Sequence, residues 1–215
     1  MIARIAALFV AVPALVFATA ASAAPEDKAT DFVRQGVDRG IAILNETGPQ
    51  DPERFERFRT FVNEVIDTRS VALFVLGPYR RGADQADLDR YVGTFHSYAT
   101  ASYESRLGAY GGQTVEITGA TARSDKDMLV NAEIRSAKGE RLAGMAFRIL
   151  DSDRGLRLFD VQVEGIWLAV EQRNQFTSFL AQNGGSIDAL IGHLEKETET
   201  FRANAPDAAD TPAEG

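Results

Sequence analysis

The sequence contains no cysteine and only two histidines, His96 and His193, among its 215 residues. Without thiols there is no disulfide framework, no thiolate metal ligand and no sulfur nucleophile. The two histidines lie far apart and outside any metal-ligand spacing, so a zinc site built on His and Cys is excluded. No G-x-S-x-G elbow, phosphate loop or dinucleotide fingerprint occurs, and Tyr110-Gly111-Gly112-Gln113 reads as a helix stop. Positive charge is scarce as well: 23 Lys and Arg stand against 31 Asp and Glu, a formal charge of -8. Such a balance repels nucleic acid and anionic membrane surfaces, which removes nucleic acid as a partner. No internal repeat is present.

What is there is an ordinary globular composition, 45% hydrophobic and 25% charged, enough for one domain with a sizeable core. Residues 1–23 carry a short positive head, an apolar run from Ile5 to Phe17 and the small-residue end Ala21-Ser22-Ala23, the pattern of a cleaved export signal. Its removal takes away Arg4 as the one charged residue, so -8 becomes -9. With no Cys after the cleavage site, lipid anchoring through a thioether is not expected. Residues 24–203 form the expected α+β domain. Residues 204–215, acidic and without apolar period, read as a disordered tail.

The densest pattern runs from Leu156 to Phe179. Phe159, Val161 and Val163 alternate with Asp160, Gln162 and Glu164, the period of a strand with one dry face. After Gly165 the spacing changes, and Trp167, Leu168, Phe176, Phe179 and Leu180 predict a helix that folds back over the sheet. Three further strands are expected at Thr114–Ala122, Met128–Arg135 and Arg141–Leu150, joined by hairpin loops into an antiparallel meander. Ahead of them, helical spacing covers Glu26–Leu44, a helix capped by Asp51-Pro52, and a long aromatic stripe from Leu88 through Phe95, Tyr98 and Tyr103 to about Tyr110, capped by Asp84. Thr68–Arg81 is apolar on every side and demands cover or a second apolar body. Ser186 caps a last helix after Asn183-Gly184-Gly185.

Candidate chemistry is thin. His96 beside Phe95 reads as structural, and Asp160 and Glu164 fall on the polar, exposed face of their strand. The fold class that follows is α+β: a curved antiparallel sheet of about four strands, covered on one face by helices. Whether the space between is a solid core or a pocket is left open by the pattern. Three functions stay possible on these residues: a carrier with an apolar pocket, a cone-shaped enzyme of the ketosteroid-isomerase kind with Asp160 or His96 turned inward, and a structural interaction module with a filled core.

Taken together, VALFVLGPYRR (Val71–Arg81), the F-x-x-Y-x-x-x-Y-x-x-x-L-x-x-Y run (Phe95–Tyr110), VEG followed by Gln172-Arg173-Asn174-Gln175-Phe176, and NGGSIDALI (Asn183–Ile191) resemble the MlaC, or toluene-tolerance, family of periplasmic phospholipid-binding proteins. The resemblance spans almost all of residues 24–203. It implies a periplasmic carrier without cofactor that holds phospholipid acyl chains in an apolar cavity between sheet and helices. Its implied partners are an outer-membrane lipoprotein complex and an inner-membrane ABC transporter, and its implied role is outer-membrane lipid asymmetry. A sister branch of the family is associated with hopanoids. On facing pattern and motif position, the expected acyl-chain wall is Phe74, Leu76, Tyr98, Tyr103, Val130, Phe147, Val161 and Trp167, with Arg80 and Arg81 at a head-group mouth. No catalytic or metal-ligating residue is expected.

Overall fold

The computed structural model describes residues 24–48, 51–107 and 110–203. The expected export signal and tail lie outside them. Among the described residues, six α-helices and five strands follow one another as α1 (Pro25–Glu46), α2 (Pro52–Val65), α3 (Thr68–Val75), a 3-10 turn (Gly77–Arg80), α4 (Gln85–Glu104), β1 (Thr114–Ser124), β2 (Asp127–Arg135), β3 (Arg141–Ser152), β4 (Gly155–Val163), β5 (Ile166–Trp167), α5 (Leu168–Gln182) and α6 (Ile187–Ala203). The sheet is a pure antiparallel meander in sequence order. Hairpins join its strands because each connection offers turn residues between alternating segments.

Three helix caps are those that the sequence predicts. The Asp51 carboxylate accepts from Glu53 N at 2.9 Å and that of Asp84 from Asp87 N at 2.8 Å. Ser186 Oγ accepts from Ala189 N at 3.1 Å. The α5 end closes through Gly184 and Gly185, both at positive φ, with Gly185 N donating to Leu180 O.

Two expectations need correction. The segment after Val163 does not pass straight from strand to helix. Glu164 (φ 46°) and Gly165 (φ 85°) form a two-residue turn, and Ile166 and Trp167 return antiparallel to Val163 and Gln162 as β5. Two consecutive positive φ values give the turn whose twist matches a tight hairpin. The Glu164 carboxylate locks it by accepting from Gly144 N and from Arg141 at 3.2 Å. Those contacts hold the carboxyl below its usual pKa, the Gly144 N–H first and the Arg141 charge second. The other correction concerns α4, which ends at Glu104 rather than near Tyr110. The chain turns out at Ser105, and Leu107 is buried with its carbonyl accepting from Arg54.

Apolar packing divides in two. One cluster lies under α1, where Ala29 and Val33 meet Met128, Val130 and Ile149 of the sheet. The other joins α3, α4, α5 and α6 through Leu76, Tyr91, Phe95, Phe176, Leu180 and Leu194. Tyr91 is fully buried, donates its hydroxyl to Ala72 O at 3.1 Å, and is pushed to a higher pKa by that burial. Gly77 brings the α3 end against α5: at φ 62°, an added Cβ would stand 2.9 Å from Thr177 Cγ2.

Arg54 clamps the periphery. It is 3% exposed and has no carboxylate partner among the described residues; its guanidinium donates instead to Leu44 O, Thr47 O, Thr47 Oγ1 and Leu107 O. Two of these carbonyls end α1, where a cation also meets the negative end of the helix dipole. Arg54→Ala is expected to lose about 2–4 kcal/mol, since several buried acceptors lose one donor group together. Urea unfolding of wild type and variant checks this, and an unchanged midpoint would contradict the clamp.

Candidate ligand cavity

A cavity of about 480 Å³ lies where the helical cluster meets strand β4. This falls within the range of small-molecule pockets, about 300–1,000 Å³. Its floor and walls are largely apolar: Ile66, Val71 and Val75 from one side, Phe95, Tyr98, Ala99 and Tyr103 from α4, Leu158 through Val161 from β4, and Leu168 and Ala169 from α5. Phe201 of α6 closes the same wall, its ring 5.8 Å from that of Tyr98.

Strand β4 is irregular where it borders the cavity. Ile149 pairs with Leu158 and Arg148 with Asp160, so Phe159 is an extra residue in β4. A bulge of this kind bends the strand and resets its alternation. Leu158 and Val161 therefore pair with Ile149 and Phe147 on the sheet face that the helices cover. Phe159 turns to Phe74 of α3, ring centroids 5.3 Å apart and edge-on, with the Arg148 guanidinium 5.0 Å from its ring. On its free side, β4 is met by a parallel bridge from Ile66 to Leu158 and by Asp67 N donating to Leu158 O.

The exposure expected of Asp160 also needs correction: it pairs with Arg148, on the strand face opposite Val161, but the start of α5 folds against it there. Asp160 is 6% exposed and lies in the cavity wall. Its Oδ1 accepts from Val161 N and from Ala169 N, both at 2.8 Å. Ala169 is the second residue of α5, whose own cap position, Trp167, offers no side-chain acceptor. Asp160 thus caps α5 from the neighbouring strand. Burial raises its pKa, opposed by the two backbone N–H groups and by Arg148.

Tyr103 leaves 42% of its surface uncovered. Yet it sits deep enough that burial, then the Asp160 charge, raises its phenol pKa. Its ring lines the cavity. Tyr98 is half-buried, its hydroxyl 3.4 Å from Gln172 Oε1, and is raised in pKa by burial and by Glu197.

Of the residues expected at the wall, Tyr98, Tyr103 and Val161 are brought together around this cavity. Leu76 and Val130 are fully buried core residues, one in each cluster, with no surface left for a ligand. Phe147 packs under α1. Phe74 is sandwiched between Phe159 and the Arg173 guanidinium, 5.1 Å from its ring. Trp167 is half-buried in β5, outside the lining. Arg80 and Arg81 are exposed beside the 3-10 turn and do not reach the cavity, because α3 approaches it with Val71 and Val75 and carries its end away toward Thr177. The cation on the cavity rim is Arg106. Sequence reasoning passed over Arg106, Ala99, Leu168 and Phe201, although Phe201 continues the Leu194 spacing and Arg106 follows Tyr103 by three. His96 stays outside, its Nε2 2.6 Å from Asn63 Oδ1.

Fold and cavity define a one-sheet α+β protein with a ligand-sized apolar chamber. The family model described as MlaC protein matches residues 34–196, and the chain belongs to that family. A phospholipid-binding protein from Ralstonia solanacearum, solved in complex with a phospholipid, shares the fold at a TM-score of 0.70 and 20% identity, with 84% of this chain and 99% of that one covered. No match is found among curated proteins.

The cap at Asp160 has a testable sign. Because its native pKa is raised above the ordinary carboxylate value, the native state holds more protons than the unfolded one between those two values, and this group's contribution to stability falls as pH rises through that window. Asp160→Asn keeps an oxygen acceptor for Ala169 N and removes this contribution. Asp160→Ala leaves a buried N–H without partner and is expected to cost about 1–3 kcal/mol. Urea titrations of the three proteins from about pH 4 to about pH 8 decide it; equal pH slopes in wild type and Asp160→Asn would contradict the assignment.

Proposed function

We propose that the protein is a periplasmic lipid carrier, not an enzyme, which holds the acyl chains of a phospholipid in the cavity between β4 and helices α3 to α6. The observation that carries this reading is a chamber of about 480 Å³ whose lining is mostly apolar and whose one interior carboxylate is engaged with backbone N–H groups. Membership in the MlaC family and the fold shared with a phospholipid-binding protein support it. The signal-like residues 1–23 support export, and no helix among the described residues is long and apolar enough to cross a membrane.

On this reading the carrier moves lipid between an outer-membrane lipoprotein complex and an inner-membrane ABC transporter and so maintains lipid asymmetry. The hopanoid-carrying alternative uses the same chamber with a rigid ring system in place of two chains. The cone-enzyme reading needs Asp160 inward, and it is inward. Its role as the cap of α5, however, ties down the oxygen that would act as base.

The physics favours a closed carrier. At about 0.8 kcal/mol per buried CH2, two chains of about 14 methylenes each cost on the order of 20 kcal/mol to expose to water. Native mass spectrometry of protein purified from a periplasmic extract is expected to show a lipid adduct of defined stoichiometry, and organic extraction names its class. Ala99→Phe, which adds a ring to the cavity wall, is expected to keep the fold by far-ultraviolet circular dichroism while lowering lipid occupancy about tenfold. Undiminished lipid in a folded Ala99→Phe protein would place the binding site elsewhere.

A further inference from the structure

Three charged side chains line the cavity: Asp160, Glu171 and Arg106. Asp160 is taken up by the start of α5. Glu171 stands exposed in the first turn of α5, where helix N–H groups favour an acid, and its carboxylate accepts from Gln175. Arg106 differs from both. Only its Nη1 is used, donating to Ser102 O and to Ser102 Oγ at 2.6 Å, and these bonds fix the guanidinium over the Phe201 ring at 5.9 Å. Its remaining N–H groups have no acceptor among the described residues. The nearest acid in sequence, Glu104, is committed to Arg59 at 2.8 Å. Ten of the seventeen other arginines among the described residues meet a carboxylate, whereas Arg106 is held but half-used at the border of an apolar chamber.

Tyr98 and Tyr103 lie close enough to Arg106 for its charge to act on both phenols, and both line the same cavity. Arg106 and Tyr103 are both exposed members of the lining, so a ligand with its chains among Leu158, Val161 and Ala99 meets Arg106 where that side opens to solvent. A guanidinium is planar and rigid, and its paired N–H groups match two oxygens of a phosphate.

Resting on the carrier reading above, we infer that Arg106 recognises the phosphate of the lipid, so that the chamber selects phosphate-bearing lipids over uncharged lipids of the same chain length. The interaction is a charge-assisted hydrogen bond at a partly exposed rim, so the selectivity is of modest size, about tenfold. It is sensitive to salt, unlike burial of the chains.

Delipidated protein is mixed with dilauroyl phosphatidylglycerol and dilauroylglycerol in competition, and the bound ratio is read by native mass spectrometry. Wild type is expected to favour the phospholipid, and Arg106→Gln to lower the bound ratio of phospholipid to dilauroylglycerol about tenfold. Arg106→Lys is expected to fall between them, as a point charge without the fork. Should the Gln variant fold poorly, the wild-type ratio itself decides: it is expected to drop between about 0.05 M and about 0.5 M salt. A ratio indifferent to both the substitution and the salt overturns the role of Arg106 while leaving the carrier intact. Failure of wild type to bind either lipid overturns the carrier reading and this inference with it.

Discussion

The bond from Ala169 N to the Asp160 carboxylate fixes where α5 begins, and with it the distance between the helices and β4. The strand bulges at Phe159, reverses through the Glu164-Gly165 turn and starts α5 within two residues of β5. A helix launched so abruptly has no cap of its own, and the strand beneath supplies one. The first turns of α5 are thereby held as a wall rather than collapsed onto Val161. The cost is a carboxylate out of water, visible in its raised pKa and in the two N–H groups and the arginine that oppose the shift.

An apolar chamber takes side chains away from the filled core, so its lining forgoes dispersion contacts with other protein atoms. The split of the core explains how the fold bears it. One cluster is complete under α1 and the other among α3 to α6, each with fully buried side chains, so stability does not depend on packing at the seam between them. The wall at the seam mixes small Ala99 and Ala169 with Tyr98, Tyr103 and Phe201, rings that border a space they do not fill.

Much of this was legible in the residues. Hairpin loops, caps at Asp51, Asp84 and Ser186, the Gly184-Gly185 stop and the family motifs all place elements that the structure contains. What failed was the side chain on which the cavity turns. A strict alternation puts Asp160 opposite Val161 and in water; it does stand opposite Val161, paired with Arg148, but the start of α5 covers that side and buries it. The trace of the bulge was the apolar doublet Leu158-Phe159, which breaks the alternation one step before Asp160. Wall membership was harder still. Leu76, Val130 and Tyr103 carry the same apolar signature in sequence, but two have neighbours on every side and one does not. That difference arises from the meeting of elements distant in the chain, which periodicity does not encode. Arg80 and Arg81 failed for a related reason: position after an apolar element says that a cation is near one end of it, not which end faces the chamber.

On the carrier reading, release is the harder half of the task. Chains worth on the order of 20 kcal/mol in water approach the ceiling of non-covalent affinity if the pocket recovers all of it. Breaking the Asp160 contact and the two pairs of β5 loosens the α5 wall by only a few kcal/mol, a small fraction of that sum. Opening the chamber into water therefore does not discharge the lipid. Discharge requires an acceptor whose own apolar surface adjoins the open cavity, so that each methylene leaves one dry wall for another. The weakly anchored α5 start then sets when the chamber opens, and the acceptor sets whether the lipid leaves. Direction of transport is thus a property of the acceptors' relative affinities, with the carrier holding the load between them.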